Sequence, residues 1–307
     1  MNPHDITIGA SDVPGILGLS PWQSPSAVWA RLKGLTQSQP SDATRRGHTL
    51  ELGILMEYAD RYALKAYRWQ TSHRHLHRQR PPYRAGLYRG PGIDQGRMIH
   101  PVYPWAGCRP DAIVLQEDGT RHLVEVKTTR SFRDWQDADG NPILPPHYVV
   151  QVQWQMMVTG TDVTHLEAFC TFDDSRRSYT VEHDPALASR IFGLVQNWRL
   201  RHIIGDELPT DMTADIAGLV WPKPAEPETW LEPSAEDLVI GSTYARLSSD
   251  IKRLTAERET CKDKLTVRIK DASGITGVAS WKATSRGRTF RCLVEGDDPP
   301  QTTPLRQ

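Results

Sequence analysis

Several features that would assign a protein quickly are scarce in this sequence. Its four cysteines, Cys108, Cys170, Cys261 and Cys292, are scattered, and no two have CxxC spacing. That scatter argues against a zinc ribbon, an iron–sulfur nuclease and a disulfide framework. No run approaches the roughly 18 apolar residues that a membrane span needs. The opening MNPHDITIGASD has neither the basic nor the apolar region of a signal peptide. The expectation is a soluble protein of a reducing compartment, with no membrane partner. Net charge is missing as well: 37 Lys and Arg balance 37 Asp and Glu, so bulk charge selects no partner.

Acids are locally absent where bases collect. Between Thr71 and Ile93 there is no Asp or Glu, while Arg74, Arg78, Arg80, Arg84 and Arg89 stand with His73, His75 and His77. Tyr83 and Tyr88 interleave with them. A basic stripe with stacking groups suits a DNA phosphate backbone; a solvated loop punctuated by Pro and Gly has the same composition. No carboxylate or Cys beside the three histidines completes a metal site, so phosphate contact by Arg74, Arg78, Arg80 and Arg84 is the favoured reading.

What the sequence does contain is a hairpin with acids in it. In RPDAIVLQEDGTRHLVEVKTT, residues 109–129, Asp-Gly between two β-prone runs is a strong hairpin signal. Pairing Leu115 with Arg121 puts Asp111 opposite Glu125. Alternation then gives Glu125 and Lys127 one face, and Val124 and Val126 the other. Two carboxylates about 5 Å apart at an effective dielectric of about 20 repel by roughly 3 kcal/mol. A hard divalent cation between them reverses that sign. Acid-x-Lys is a cheap pattern, however, and Asp250-Ile251-Lys252 repeats it inside an evident helix. The hairpin alone therefore fits a metal site or a solvated edge strand with a surface salt bridge.

The remaining segments alternate helix and strand. IGASDVPGILG starts a helix capped by Ser11 or Asp12, and a second short helix spans residues 24–34. Residues 48–67 form an amphipathic helix with Leu52, Leu55, Ala59, Tyr62 and Ala63 as its apolar face; Glu57, near that stripe, is the acid expected to point inward, ahead of Glu51. A helix from Tyr148 to Thr159 places Tyr148, Gln151 and Gln155 on one face, as a cleft lining would. Strands are expected over 165–172 and 176–183, then a helix over 186–209. Pro222, Pro224, Pro227 and Pro233 mark a linker. Beyond it a long helix carries Tyr244, Leu247, Ile251, Leu254, Arg258, Cys261 and Leu265 at alternating steps of three and four, a coiled-coil-like seam. A terminal hairpin over 278–296 turns at Ser285-Arg286-Gly287. The domains expected are a core over 1–215, a proline-rich linker over 216–233, a helix-hairpin module over 234–296 and a disordered tail over 297–307.

Taken in order, IGASD (8–12), Gly53-x-x-x-Glu57, Pro110-Asp111, Glu125-Val126-Lys127 and Tyr148-x-x-Gln151 running on to Thr159-Gly160 resemble the YqaJ-type viral recombinases. These are PD-(D/E)XK nucleases related to phage lambda exonuclease, and the resemblance covers roughly residues 5–215. It implies an α/β (α+β) restriction-endonuclease-like core with a mixed central sheet flanked by helices. It further implies that Asp111, Glu125 and the Val126 carbonyl hold Mg²⁺ (Mn²⁺ substituting), with Glu57 reaching the site from its helix. Lys127 would act on the attacking water, Tyr148 and Gln151 would orient substrate, and Ser11 would hold a 5′-phosphate. Such proteins carry an Arg some residues before that Ser. His4 and Asp5 stand there instead, so either phosphate dependence is weaker or Arg45 or Arg46 supplies the charge. The activity implied is 5′→3′ digestion of linear duplex DNA, by a trimeric ring in the cytoplasm of a bacterial host, leaving 3′ strands for a single-strand annealing protein. A PD-(D/E)XK endonuclease of restriction or repair type shares these residues. A non-catalytic DNA-end-binding adaptor needs the basic stripe but not the joint retention of Asp111, Glu125 and Lys127.

Overall fold

The computed structural model describes residues 2–37, 41–68, 86–89, 97–223, 229–284 and 287–293. Of 66–68 and 86–89 it describes the backbone path. The basic stripe's Arg74, Arg78, Arg80 and Arg84 lie outside the described residues. The chain divides into two compact units, Met1–Pro224 and Ala225–Gln307.

Capping chemistry sets most helix starts of the first unit. Ser24 accepts from the Ala27 amide to open α2 (Pro25–Leu32), and Ser41 accepts from Thr44 to open α3 (Asp42–Arg61). A short helix, α1 (Val13–Ile16), precedes them without a side-chain cap; Asp12 instead accepts from the Gly9 amide at 2.9 Å. α3 begins and ends six residues ahead of the expected 48–67. The Ser41 cap recruits a polar first turn that periodicity misses, and Ala63, at φ 52°, leaves the helical path. The chain then enters β1 (Ala66–Arg68).

The central sheet has six strands. β2 (Gly86–Arg89) pairs parallel with β1 and antiparallel with β5 (Ala112–Leu115), which pairs with β6 (Arg121–Thr129). β6 runs parallel to β7 (Val163–Cys170), and β7 antiparallel to β8 (Arg176–Glu182). The order β1-β2-β5-β6-β7-β8 is therefore mixed. A parallel neighbour requires a crossover, and α4 (Pro146–Thr159) supplies it between β6 and β7. Gly160 ends α4 at φ 67°, a left-handed position that glycine occupies without penalty. Two short strands, β3 (Met98–Ile99) and β4 (Gly107–Cys108), form a separate pair.

Each face of the sheet has its own core. Val124, Val126, Ala112 and Val114 pack against Ile54, Leu55, Tyr58 and Ala59 of α3. Ile113, Leu123 and Leu166 face a larger cluster containing Val152, Trp154, Met156 and Val158 of α4, with Ile191 and Val195 of α5 (Pro185–Trp198). α5 is shorter than the expected 186–209, because at Arg199–Ile204 the chain widens into a π-helical turn that stops at Gly205. One further helix, α6 (Ala214–Val220), opens on Thr213.

In the second unit, Ser234 and Asp237 form a reciprocal capping box for α7 (Ala235–Ile269). Of its 35 residues only Ile269 is buried. Ion pairs Arg253–Glu257 and Lys262–Glu259 brace its surface. The terminal strands β10 (Ala279–Thr284) and β11 (Gly287–Cys292) form the expected hairpin, joined by a third strand, β9 (Gly274–Ile275).

Candidate active site

The register of the acidic hairpin positions the site. Leu115 pairs with Arg121 and Ala112 with Val124, so Asp111 enters β5 opposite Glu125. The turn is held by Asp118, whose carboxylate accepts from the Thr120 amide at 2.8 Å and its hydroxyl at 2.7 Å, and by Gly119 at φ 87°. Glu125 and Lys127 face α4, opposite the side on which Val124 and Val126 meet α3.

Glu125 is 3% exposed, and its oxygens are shared among three donors. Lys127 Nζ and Gln151 Nε2 both lie 2.6 Å from Oε1, and Gln155 Nε2 lies 2.8 Å from Oε2. Asp111 accepts from the Val126 amide at 2.7 Å. Tyr148 lies beneath the lysine, its ring centroid 5.2 Å from Nζ. The i, i+3, i+7 face of α4 is thus the face turned to the hairpin.

Electrostatics follow from this crowding. Burial, then the charge of Glu125, pushes the Asp111 carboxyl well above the usual carboxylate range; Lys127 and the Val126 amide oppose the shift, and Glu51 adds to it. Burial disfavours a charged Lys127, but Glu125 and Asp111 outweigh it and raise its pKa. The amine is held as an ammonium. Tyr148 is pushed up, chiefly by burial.

The structure does not bring Glu57 to this pair. It is exposed and ion-paired to Arg176 of β8, with Nη2 2.9 Å from Oε1. Glu51, half-buried, is the α3 acid whose charge bears on Asp111. Their offset of six residues turns the helix by about 120° net, at 3.6 residues per turn. Gly47-x-x-x-Glu51 has the same spacing as Gly53-x-x-x-Glu57, and the glycines separate the two. A Cβ at Gly47 would meet Thr128 Oγ1 of β6 at 3.2 Å, whereas one at Gly53 would meet nothing within 4 Å. Gly47 is where α3 crosses close to the active strand.

Ser11 is exposed beside Asp12. Asp12 is buried and bound by Arg31 Nη2 at 2.5 Å, and burial raises its carboxyl while Arg31 and Arg97 oppose that shift. Neither arginine was picked out by sequence reasoning, because each joins IGASD only through the fold. Arg45 pairs with Asp42 on the first turn of α3.

The donor set can be tested against a metal ion. Among the described residues no group of three or more His, Cys, Asp and Glu is arranged to hold one. Two facing carboxylates, a backbone carbonyl and Glu51 nearby make a site of hard oxygens with few protein ligands. That suits Mg²⁺, which takes one or two carboxylates and keeps several waters. The repulsion carried by Asp111 is what a cation would relieve, so the residues fit.

The site thus combines a mixed sheet, two acids facing across a hairpin, an Acid-x-Lys strand and a glutamine-bearing crossover helix. The chain belongs to the YqaJ-like viral recombinase domain family, whose model matches residues 2–162, just over half of it. None of the curated proteins compared with it matches. Among solved structures, an alkaline exonuclease from Laribacter hongkongensis is 21% identical, with a TM-score of 0.44 over 66% of this chain and 90% of that one. The same enzyme in complex with dAMP gives 20% and 0.46 over the same shares. A phage-related exonuclease from Haemophilus somnus 129PT is 11% identical, with a TM-score of 0.41 over 66% of this chain and 97% of that one.

Proposed function

We propose that this protein is a Mg²⁺-dependent exonuclease that digests linear double-stranded DNA 5′→3′ and leaves 3′ strands for an annealing partner. The observation that carries the reading is the Asp111–Glu125 pair with Lys127 on the same strand, braced by Gln151 and Gln155. Asp111, Glu125 and the Val126 carbonyl would hold the ion, with Glu51 rather than Glu57 as the further acid. When bound, the ion supplies an acidified water and charge stabilisation at the scissile phosphate. The chain's own residues do the rest. Lys127, held as an ammonium, donates toward the phosphate oxygens and positions the attacking water. Gln151 and Gln155 fix both Glu125 oxygens, so the carboxylate does not reorganise as charge develops. Tyr148 walls the lysine from bulk solvent. Ser11 would hold a 5′-phosphate, with Arg31, the ion-pair partner of the adjacent Asp12, as a candidate for the basic group that His4 and Asp5 do not provide.

The nuclease core is taken as residues 1–215, with 216–233 as linker and 234–296 as the helix-hairpin module. The exposed seam on α7, Tyr244, Leu247, Ile251 and Leu254, supports a contact between copies within a homo-oligomer. No helix among the described residues is long and apolar enough to cross a membrane; action in the host cytoplasm follows from the proposed substrate.

The deciding experiment is Mg²⁺-dependent digestion of linear against covalently closed duplex DNA, with wild type and Lys127→Ala. Loss of the linear form alone, abolished by the substitution, is expected. Cutting of the closed circle would make the protein an endonuclease. Binding without cleavage of either would make it an end-binding adaptor.

A further inference from the structure

The loop between α1 and α2 carries a tryptophan that the fold holds without burying. Trp22 is 69% exposed. Its backbone is fixed all the same: the Ser20 hydroxyl accepts from the Trp22 and Gln23 amides, each at 3.2 Å. The indole meets His147 at 5.1 Å between centroids and 88° between planes, and Tyr148 at 6.2 Å. A perpendicular contact covers at most one face of the indole, so a face is left open. His147 is packed on Tyr148 at 4.1 Å, and its Nε2 is buried without a hydrogen-bond partner. Tyr148 in turn is the ring under Lys127 Nζ, at 5.2 Å. A rigid, open aromatic face and an unanswered imidazole nitrogen therefore stand one ring away from the ring that supports Lys127.

Leaving an indole in water forgoes the free energy that burial of its large apolar surface would return. The ligand that such a platform fits, beside a phosphodiester-cleaving site, is a nucleobase: any base stacks on an indole whatever its sequence. We infer that Trp22, backed by His147, forms a base-stacking subsite for the DNA end, taking one of the first three nucleotides from the scissile phosphate. The range follows from the 5.2 and 6.2 Å contacts that link Nζ to the indole through Tyr148, against an advance of about 3.4 Å per nucleotide along a strand. The inference rests on the nuclease reading, yet it fails separately from it.

The test is a duplex carrying 2-aminopurine at the first, second or third nucleotide of either strand. It is bound to the full chain with Ca²⁺ replacing Mg²⁺ to hold the complex, and wild type is compared with Trp22→Ala and Trp22→Phe. Wild type should quench emission at one of these positions. Trp22→Ala should lose the quench and bind the end about 5- to 150-fold more weakly, matching the ~1–3 kcal/mol of a stacked base. Trp22→Phe should restore most of both. Equal emission in wild type and Trp22→Ala at every position, or no quench in wild type, would overturn the subsite, even if linear DNA is digested in Mg²⁺. A quench that depends on Trp22 without digestion would overturn the nuclease reading instead and leave the subsite standing. Absence of any DNA binding would overturn both.

Discussion

Glu125 is surrounded so closely that its neighbours can be separated by substitution. In the proposed mechanism Lys127→Ala removes the ammonium that would meet the reacting phosphate, and it should lower the cleavage rate about 10²- to 10³-fold, the range found for one preorganised donor. DNA binding measured in Ca²⁺ should persist. Gln155→Leu leaves Glu125 Oε2 without its amide and should raise the Mg²⁺ concentration needed for half-maximal activity. The two acids of α3 offer a sharper contrast. Glu51→Gln should raise that metal requirement, whereas Glu57→Gln should alter only a surface pair with Arg176, within about 1 kcal/mol of stability and with cleavage retained. Equal losses from both would refute the assignment of Glu51, and digestion rates across a Mg²⁺ titration decide it.

The close crossing of α3 over β6 is a property of the element. Gly47→Val puts branched carbons where Thr128 Oγ1 leaves 3.2 Å for a Cβ, so the helix must lift and carry Glu51 away. Activity should fall while the protein stays folded. Gly53→Ala, in open space on the same helix, should stabilise by about 0.5–1 kcal/mol, as alanine does over glycine in helices. Thermal unfolding of the two variants beside their activities checks both. In the second unit, Arg288 spans the end of α7, bonding the Lys270 carbonyl at 2.6 Å and stacking on Trp281 at 4.0 Å. That cationic side chain is committed to joining helix and hairpin.

For the whole molecule, the site's charge couples stability to metal and pH. Asp111 is raised above its unfolded value, so in metal-free protein the native state binds a proton more tightly than the unfolded chain does. The stability tied to that proton is present below the ordinary Asp range and is lost as pH rises through the elevated native pKa. At neutral pH, Mg²⁺ should therefore raise the melting temperature. Asp111→Asn should raise it without metal and abolish the further rise on adding Mg²⁺; calorimetry with and without EDTA reads both. Oligomerisation is tested at the same scale. Leu247→Asp with Leu254→Asp places charges in the exposed seam of α7 and should lower the mass seen by light scattering if copies meet there. An unchanged mass would leave the seam without a role in assembly.

Much of the active strand was legible because a hairpin is local. Asp-Gly between two β-prone runs sets the pairing of Leu115 with Arg121, and strict alternation carries that register to Asp111, Glu125 and Lys127. The α4 face was legible for the same reason, since Tyr148, Gln151 and Gln155 need only helical periodicity to line up. The α3 acid was not. Gly47-x-x-x-Glu51 and Gly53-x-x-x-Glu57 are equivalent as strings, and only the approach of α3 to Thr128 distinguishes them. Arg31 beside Asp12 and Trp22 against His147 also come from segments brought together by packing. By itself, the sequence determined which elements form and which residues share a face, because turns, caps and periodicity act over a few residues. Tertiary structure alone decided which faces meet and which α3 acid lies toward Asp111, because those choices depend on close packing between segments distant in the chain.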